Sequence, residues 1–407
     1  VLHGGDGAWD AVLRELPDPA ALPAWDALRC LRLWLAAEPS RRAGLFREGA
    51  QVRRELELVH QTFDLDLAGP LSVLAELLAD GSTEPGEVVW ACLCVAEWAN
   101  LRGARETAGL FAETAALAAP EKPGLAFVAG RMARSRGDGF TAERWLRRAA
   151  SVAWRVEEWE VYARSVNSLG NLRTEQGRLG EARHVLAKAL RASRRHGLQT
   201  LEGEILHDLA VVAIASGHGK QVEQFVNDAF QVYRSGHPRL PALAYDVAYH
   251  WMSEGYFARA LSVFQALLTH FEDHPRRLQV LAAMARGSGA SGQLGSFQNF
   301  WIEVSQLSHQ PECQRVLAAV LLDLGRGASS LAEWDHAEEA LSGALRIAMK
   351  RGEADVVAQA QSALESVRLK GKADPAPTRI SARTESQADL LAREIVLLLK
   401  ETTGGTA

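Results

Sequence analysis

The residues that could do chemistry are few. His270, Asp273 and His274 form an HFEDH cluster, and two histidines four apart can hold a metal from one helical turn. Pro275 follows directly, which puts the cluster at a helix end, where the helix dipole also favours histidine. No third ligand group is evident nearby, so no metal site is expected. Arg286 to Gly292 reads RGSGASG and contains GxGxxG, a spacing that cradles a pyrophosphate when it follows a strand and opens a helix. Here the preceding LQVLAAMA has a helical pattern and no strand–helix–strand unit follows. These glycines are expected to mark a helix end and the loop between helices. No GxSxG, Walker-type loop, HExxH or CxxC occurs, and each of those chemistries needs its motif's geometry. Cys30, Cys92, Cys94 and Cys313 are too few for a disulfide framework and read as helical thiols in a reducing, cytoplasmic setting. The expectation is a protein that is not an enzyme and carries no cofactor.

The elements that must position any functional residue are helices. The 407 residues are 47% apolar and 23% charged, a globular composition. Ala, Leu, Glu and Arg dominate, and the 14 prolines fall mostly between the apolar runs, as helix propensity requires. No run of about 18 uncharged apolar residues exists, so no spanning helix is expected, and the first residues lack a secretory pattern. The net charge of −5 hides an asymmetry: residues 1–100 carry 8 basic and 16 acidic side chains, and residues 131–197 carry 15 basic and 7 acidic. The second segment is a basic belt.

The chain repeats itself. Tyr162 to Gly197, YARSVNSLGNLRTEQGRLGEARHVLAKALRASRRHG, places Gly170, Gly177, Ala182 and Ala189 so that small residues follow the anchor Gly170 at 12 and 19 positions. The same frame fits Gly130 with Ala142 and Ala149, Ala96 with Ala108 and Ala115, and Gly325 with Ala337 and Ala344. Weaker copies start from Ala210, Ala248 and Ala285, and successive anchors lie 34, 40, 40, 38, 37 and 40 residues apart. This pattern resembles the tetratricopeptide repeat, in which small residues let two antiparallel helices approach closely. The resemblance covers residues 85–352 and, through a degenerate unit around Leu31, Ala43 and Ala50, extends towards the N-terminus. It implies an all-α, right-handed α-α superhelix of about seven to eight helix pairs. Leu169, Leu172, Leu179, Val185, Leu186 and Leu190 are expected in the core of the best unit, with Trp145, Trp154, Trp159 and Trp334 as wedges between helices.

Four segments follow: degenerate repeats at 1–84, the repeat array at 85–370, a linker at 371–384 and an amphipathic helix at 385–402. The linker, GKADPAPTRISART, is rich in Gly and Pro. Ser386 and Asp389 resemble a capping box, and Leu391, Ile395, Leu398 and Leu399 share one face. That face must dock, on the repeats or on a second copy as a homodimer. The chain starts at Val1, which is expected of a trimmed chain or a non-standard start.

The resemblance implies that ligands lie on the concave face of the first helices. The frame places Arg164, Asn167, Asn171 and Thr174 there in the best unit, and Asn100, Arg131, Arg134, His207, Tyr245 and Tyr249 in its neighbours, beside Arg286 and Arg326. An amide both donates and accepts, so Asn167 and Asn171 suit a peptide backbone, and the arginines suit carboxylates. The expected function is a protein- or peptide-binding scaffold for an acidic segment or a C-terminal carboxylate. Two alternatives stand beside it: the ligand-sensing part of a peptide-responsive helix-turn-helix regulator, and nucleic-acid binding through residues 131–197. Glu157, Glu158 and Glu160 interrupt the belt, so direct nucleic-acid contact is the weaker of these.

Overall fold

The computed structural model describes residues 10–42, 45, 65–80, 84–234, 236–370 and 386–404. Regular structure among them is helical throughout: α1 (Asp10–Glu15), α2 (Ala21–Ala36), α3 (Pro39–Arg42), α4 (Leu65–Asp80), α5 (Pro85–Leu101), α6 (Arg105–Ala118), α7 (Pro123–Ser135), α8 (Gly139–Arg155), α9 (Trp159–Glu175) and α10 (Leu179–Arg195). These are followed by α11 (Gln199–Ala215), α12 (Gly219–Tyr233), α13 (Leu240–Ser253), α14 (Phe257–Leu267), α15 (His274–Ala290), α16 (Leu294–Leu307), a 3-10 turn (Pro311–Val316), α17 (Leu317–Ser330), α18 (Trp334–Arg351), α19 (Ala354–Arg368) and α20 (Gln387–Gly404). The chain forms two compact units, Val1–Asp208 and Leu209–Ala407. Ala43, Ala50 and the 371–384 segment lie outside the described residues.

Within unit 1, α5 packs on α6, α7 on α8 and α9 on α10; within unit 2, α13 packs on α14, α15 on α16 and α17 on α18. The anchor residues explain the pairing. A Cβ built on Gly130, Gly170 or Gly325 would stand 2.7, 2.6 or 2.5 Å from Cγ of Leu146, Leu186 or Leu341, each 16 residues further on. Glycine at the anchor lets the partner helix seat a fully buried leucine against bare backbone. Seven residues after each anchor the backbone turns left-handed, at Gly103, Gly137, Gly177, Gly217, Gly255 and Gly292. In the last copy Ala332 holds that conformation instead, at φ 63°.

In the best unit Leu172, Leu186 and Leu190 are buried, while Leu169, Leu179 and Val185 are half-buried. Trp145 and Trp334 pack against the two main cores. Trp154 does not act as the expected wedge: it is 53% exposed and meets Trp159 edge-on, ring centroids 5.1 Å apart. In the N-terminal part α1 and α2 pack on each other and both reach α6. Glu15 caps α6 from outside, its carboxylate accepting the backbone N–H groups of Glu106 (3.0 Å) and Thr107 (2.8 Å). All four cysteines are free.

The C-terminal helix docks within unit 2, on α14. Leu391, Ile395 and Leu399 are buried, and the expected cap forms, with Asp389 N–H donating to Ser386 Oγ (3.3 Å) and Ser386 N–H to Asp389 Oδ2 (3.1 Å). Arg259, itself 8% exposed, binds Asp389 at 2.7 Å.

Candidate functional site

The first helices carry a polar ladder beside their small anchors. In unit 1, Nδ2 of Asn167 and of Asn171 donate to one oxygen, Asp208 Oδ2, at 2.8 and 2.9 Å. In unit 2, Arg286 Nη1 donates to Asp323 Oδ1 at 3.2 Å, and Tyr249 Oη donates to the same oxygen at 2.8 Å. The two clusters share a register. Asp208 and Asp323 each stand two residues before an anchor, while Asn171, Tyr249 and Arg286 each stand one residue after one. A helix periodicity that repeats the small residues repeats these positions with them.

The structure brings most of the expected residues together in two groups. In unit 1, Arg134 on α7 reaches Glu175 of α9 (Nε–Oε1 3.5 Å). Arg164 pairs with Glu160 (2.9 Å) and Glu204 (3.7 Å). Thr174 Oγ1 donates to the Gly170 carbonyl at 3.2 Å, and His207 is buried on α11 beside Asp208. Arg131 is exposed, its guanidinium 5.9 Å from the Phe127 ring. Asn100 is exposed on α5 and no contact printed for its side chain joins it to this group. Burial raises the Glu175 pKa, opposed by the Arg134 charge. On the second helices, the Arg173 guanidinium binds Glu143 at 2.5 Å and is the main force holding its pKa down to about 2.

In unit 2, Tyr245 and Tyr249 stack on α13, centroids 6.0 Å apart, and border a cavity of about 330 Å³. Val211 and Ile214 of α11 and Ala319, Val320 and Asp323 of α17 form its opposite walls. Burial, and then the Asp323 charge, push both tyrosine pKa values up. Arg286 is 2% exposed and lies under the cavity as an internal partner of Asp323, so it is not the groove-facing cation of the sequence frame. Asp208 and Asp323 escaped that frame, which scored small residues and left the acidic position two before the anchor unread.

Two other expectations change. Gly287 and Gly289 lie inside α15, and only Gly292 ends it, at φ 74°. A Cβ on Gly289 would stand 2.3 Å from the Gly327 carbonyl oxygen, so this glycine run serves helix contact. The HFEDH residues span the turn between α14 and α15, with Asp273 as N-cap of α15. His270 donates from Nε2 to the Leu399 carbonyl (2.5 Å) and His274 meets Glu312 (2.7 Å), so the two rings serve different contacts.

No protein-family model matches the sequence, and no curated protein matches it. Among solved structures, a signal transduction ATPase with numerous domains from Pyrococcus horikoshii, described as having a tetratricopeptide repeat sensor, matches with a TM-score of 0.52 at 13% identity, over 86% of this chain and 56% of that one. The chain has a tetratricopeptide-repeat fold. Further tetratricopeptide-repeat matches include Pseudomonas aeruginosa pilF, at 18% identity and TM-score 0.42 over 58% of this chain and 99% of that one. A Rap protein complexed with Competence and Sporulation Factor matches at 12% identity and TM-score 0.47 over 85% and 98%.

Proposed function

We propose that the chain is a non-catalytic scaffold that holds a protein or peptide along the first helices of unit 1, gripping an acidic segment or a C-terminal carboxylate. One observation carries this reading. Arg134 uses Nε towards Glu175 while its buried Nη1 has no hydrogen-bond partner, and Arg131, one turn away on the same helix, is exposed. A carboxylate set between them would gain charge-assisted hydrogen bonds that the folded chain leaves unmade. Asn167 adds a buried Oδ1 without a partner, an acceptor for a peptide N–H. Asn171, by contrast, is committed to Asp208 and orders the site from behind.

The test is capture from a lysate of the native host by the tagged chain, with and without Arg131→Gln and Arg134→Gln together. Loss of the captured partners with an unchanged thermal melt is expected; unchanged capture overturns the proposal. A sensing role is the companion reading, since the Pyrococcus horikoshii protein is described as using its repeats as a sensor. Self-association through the C-terminal helix is a further part of the proposal.

A further inference from the structure

The acidic position two before the anchor occurs three times, at Asp208, Asp246 and Asp323. At Asp208 and Asp323, the residue one after the preceding anchor supplies a donor: the Asn171 amide (2.9 Å) and the Arg286 guanidinium (3.2 Å). The preceding helix offers Val211 at that place for Asp246, and Val211 and Asp246 both line the cavity of about 330 Å³. That volume falls within the range of side-chain and small-ligand sites, about 300–1,000 Å³.

The cavity's chemistry has one sign. Asp246 and Asp323 are its charged lining residues, and no lysine or arginine is among the described residues that line it. Asp323 is balanced by Arg286 from below, which leaves Asp246 to set the charge. The stacked Tyr245 and Tyr249 rings offer π faces that attract cations; the Arg286 guanidinium already lies 5.4 Å from the Tyr249 centroid. Val211, Ile214, Ala319 and Val320 supply apolar wall for a methylene stem. The remaining titratable lining group, His250, has its pKa lowered chiefly by burial, so at neutral pH it adds no positive charge.

We infer that this cavity is a subsite for a guanidinium-bearing side chain, an arginine of a bound peptide, whose head meets Asp246 and the tyrosine faces as the Arg286 and Asn171 side chains meet their own acids one repeat away. This rests on the reading that the first helices carry a peptide, and it names a residue of that peptide.

The probes are Nα-acetyl-arginine methylamide and its norleucine and glutamate analogues, titrated into the full chain by ligand-observed NMR. The arginine compound is expected to bind at least tenfold more tightly than norleucine, and the glutamate compound not at all. Asp246→Asn, at a half-buried position, is expected to weaken arginine binding about tenfold, and Ala319→Phe, which fills the cavity, to abolish it. Equal binding of norleucine and arginine, an Asp246→Asn variant that binds arginine like the wild type, or no binding by any probe overturns the inference. Loss of capture by the Arg131 and Arg134 variant reports on unit 1 alone, so the two readings fail separately.

Discussion

At the scale of single residues, the buried and half-buried charges of the first helices are shaped by their neighbours one repeat away. Asp208 and Asp323 take donors from the preceding first helix, and that regularity was present in the sequence as an acid two before the anchor. It went unread because an acid on a helix reads equally as a solvated face; only the donor at a fixed position in the preceding repeat distinguishes the two. The same holds for Glu143, whose i+4 neighbour Arg147 is visible in the sequence but whose main partner, Arg173, lies on the next helix pair. Because the Glu143 pKa falls from 4.5 to about 2 in the folded protein, its contribution to stability is complete above about pH 4.5. It declines as the pH falls and is gone once the folded carboxyl is itself protonated. Glu143→Gln should therefore lower the melting temperature at pH 7, with the gap to wild type narrowing steadily between pH 4.5 and 2.5. Thermal melts across that range test this, and a gap that stays constant refutes the assignment.

Helix elements were more legible, because the small anchors are dictated by contact between backbones. Gly130, Gly170 and Gly325 meet leucines at the same offset, so a spacing rule finds them all. The RGSGASG run shows where such a rule fails. Glycine marks a left-handed turn and a close helix crossing with the same letter, and Gly289 is explained only by Gly327, 38 residues later on a helix packed against its own. Backbone, unlike a leucine tip, cannot move aside: the contact at Gly289 is a carbonyl oxygen at 2.3 Å. Gly289→Ala should thus destabilise by about 1–3 kcal/mol through overpacking, more than the gain of about 1 kcal/mol from helix propensity. Gly295→Ala, on the next helix with nothing within 4 Å of the added Cβ, should change stability little. Urea midpoints for the two variants decide between crossing and turn, and equal midpoints would show that Gly289 only relaxes the backbone.

For the whole molecule, the sequence pointed to a C-terminal helix that must hide an apolar face, and the face it pointed to is hidden, on α14. The choice of α14 was not legible, since it depends on Arg259, a basic residue that is buried only because Asp389 and Ser386 come to it and Trp251 and Tyr256 enclose it. Docking leaves a second stripe: Leu390 is 48% and Leu397 60% exposed. An antiparallel copy related by a two-fold axis between Arg393 and Glu394 would set each Leu390 against the other copy's Leu397 and each Arg393 against the other copy's Glu394, a self-complementary register. Two leucines per chain bury little area, so the proposed dimer is weak and depends on concentration. Sedimentation of the full chain should show a weight-average mass rising from the monomer's 44.3 kDa with concentration. Leu397→Glu should hold it at the monomer value without altering the melt, because Leu397 makes no part of the buried face. A wild-type chain that stays monomeric at every concentration, or a Leu397→Glu variant that still associates, would assign the stripe to solvent and leave α20 an intramolecular brace alone.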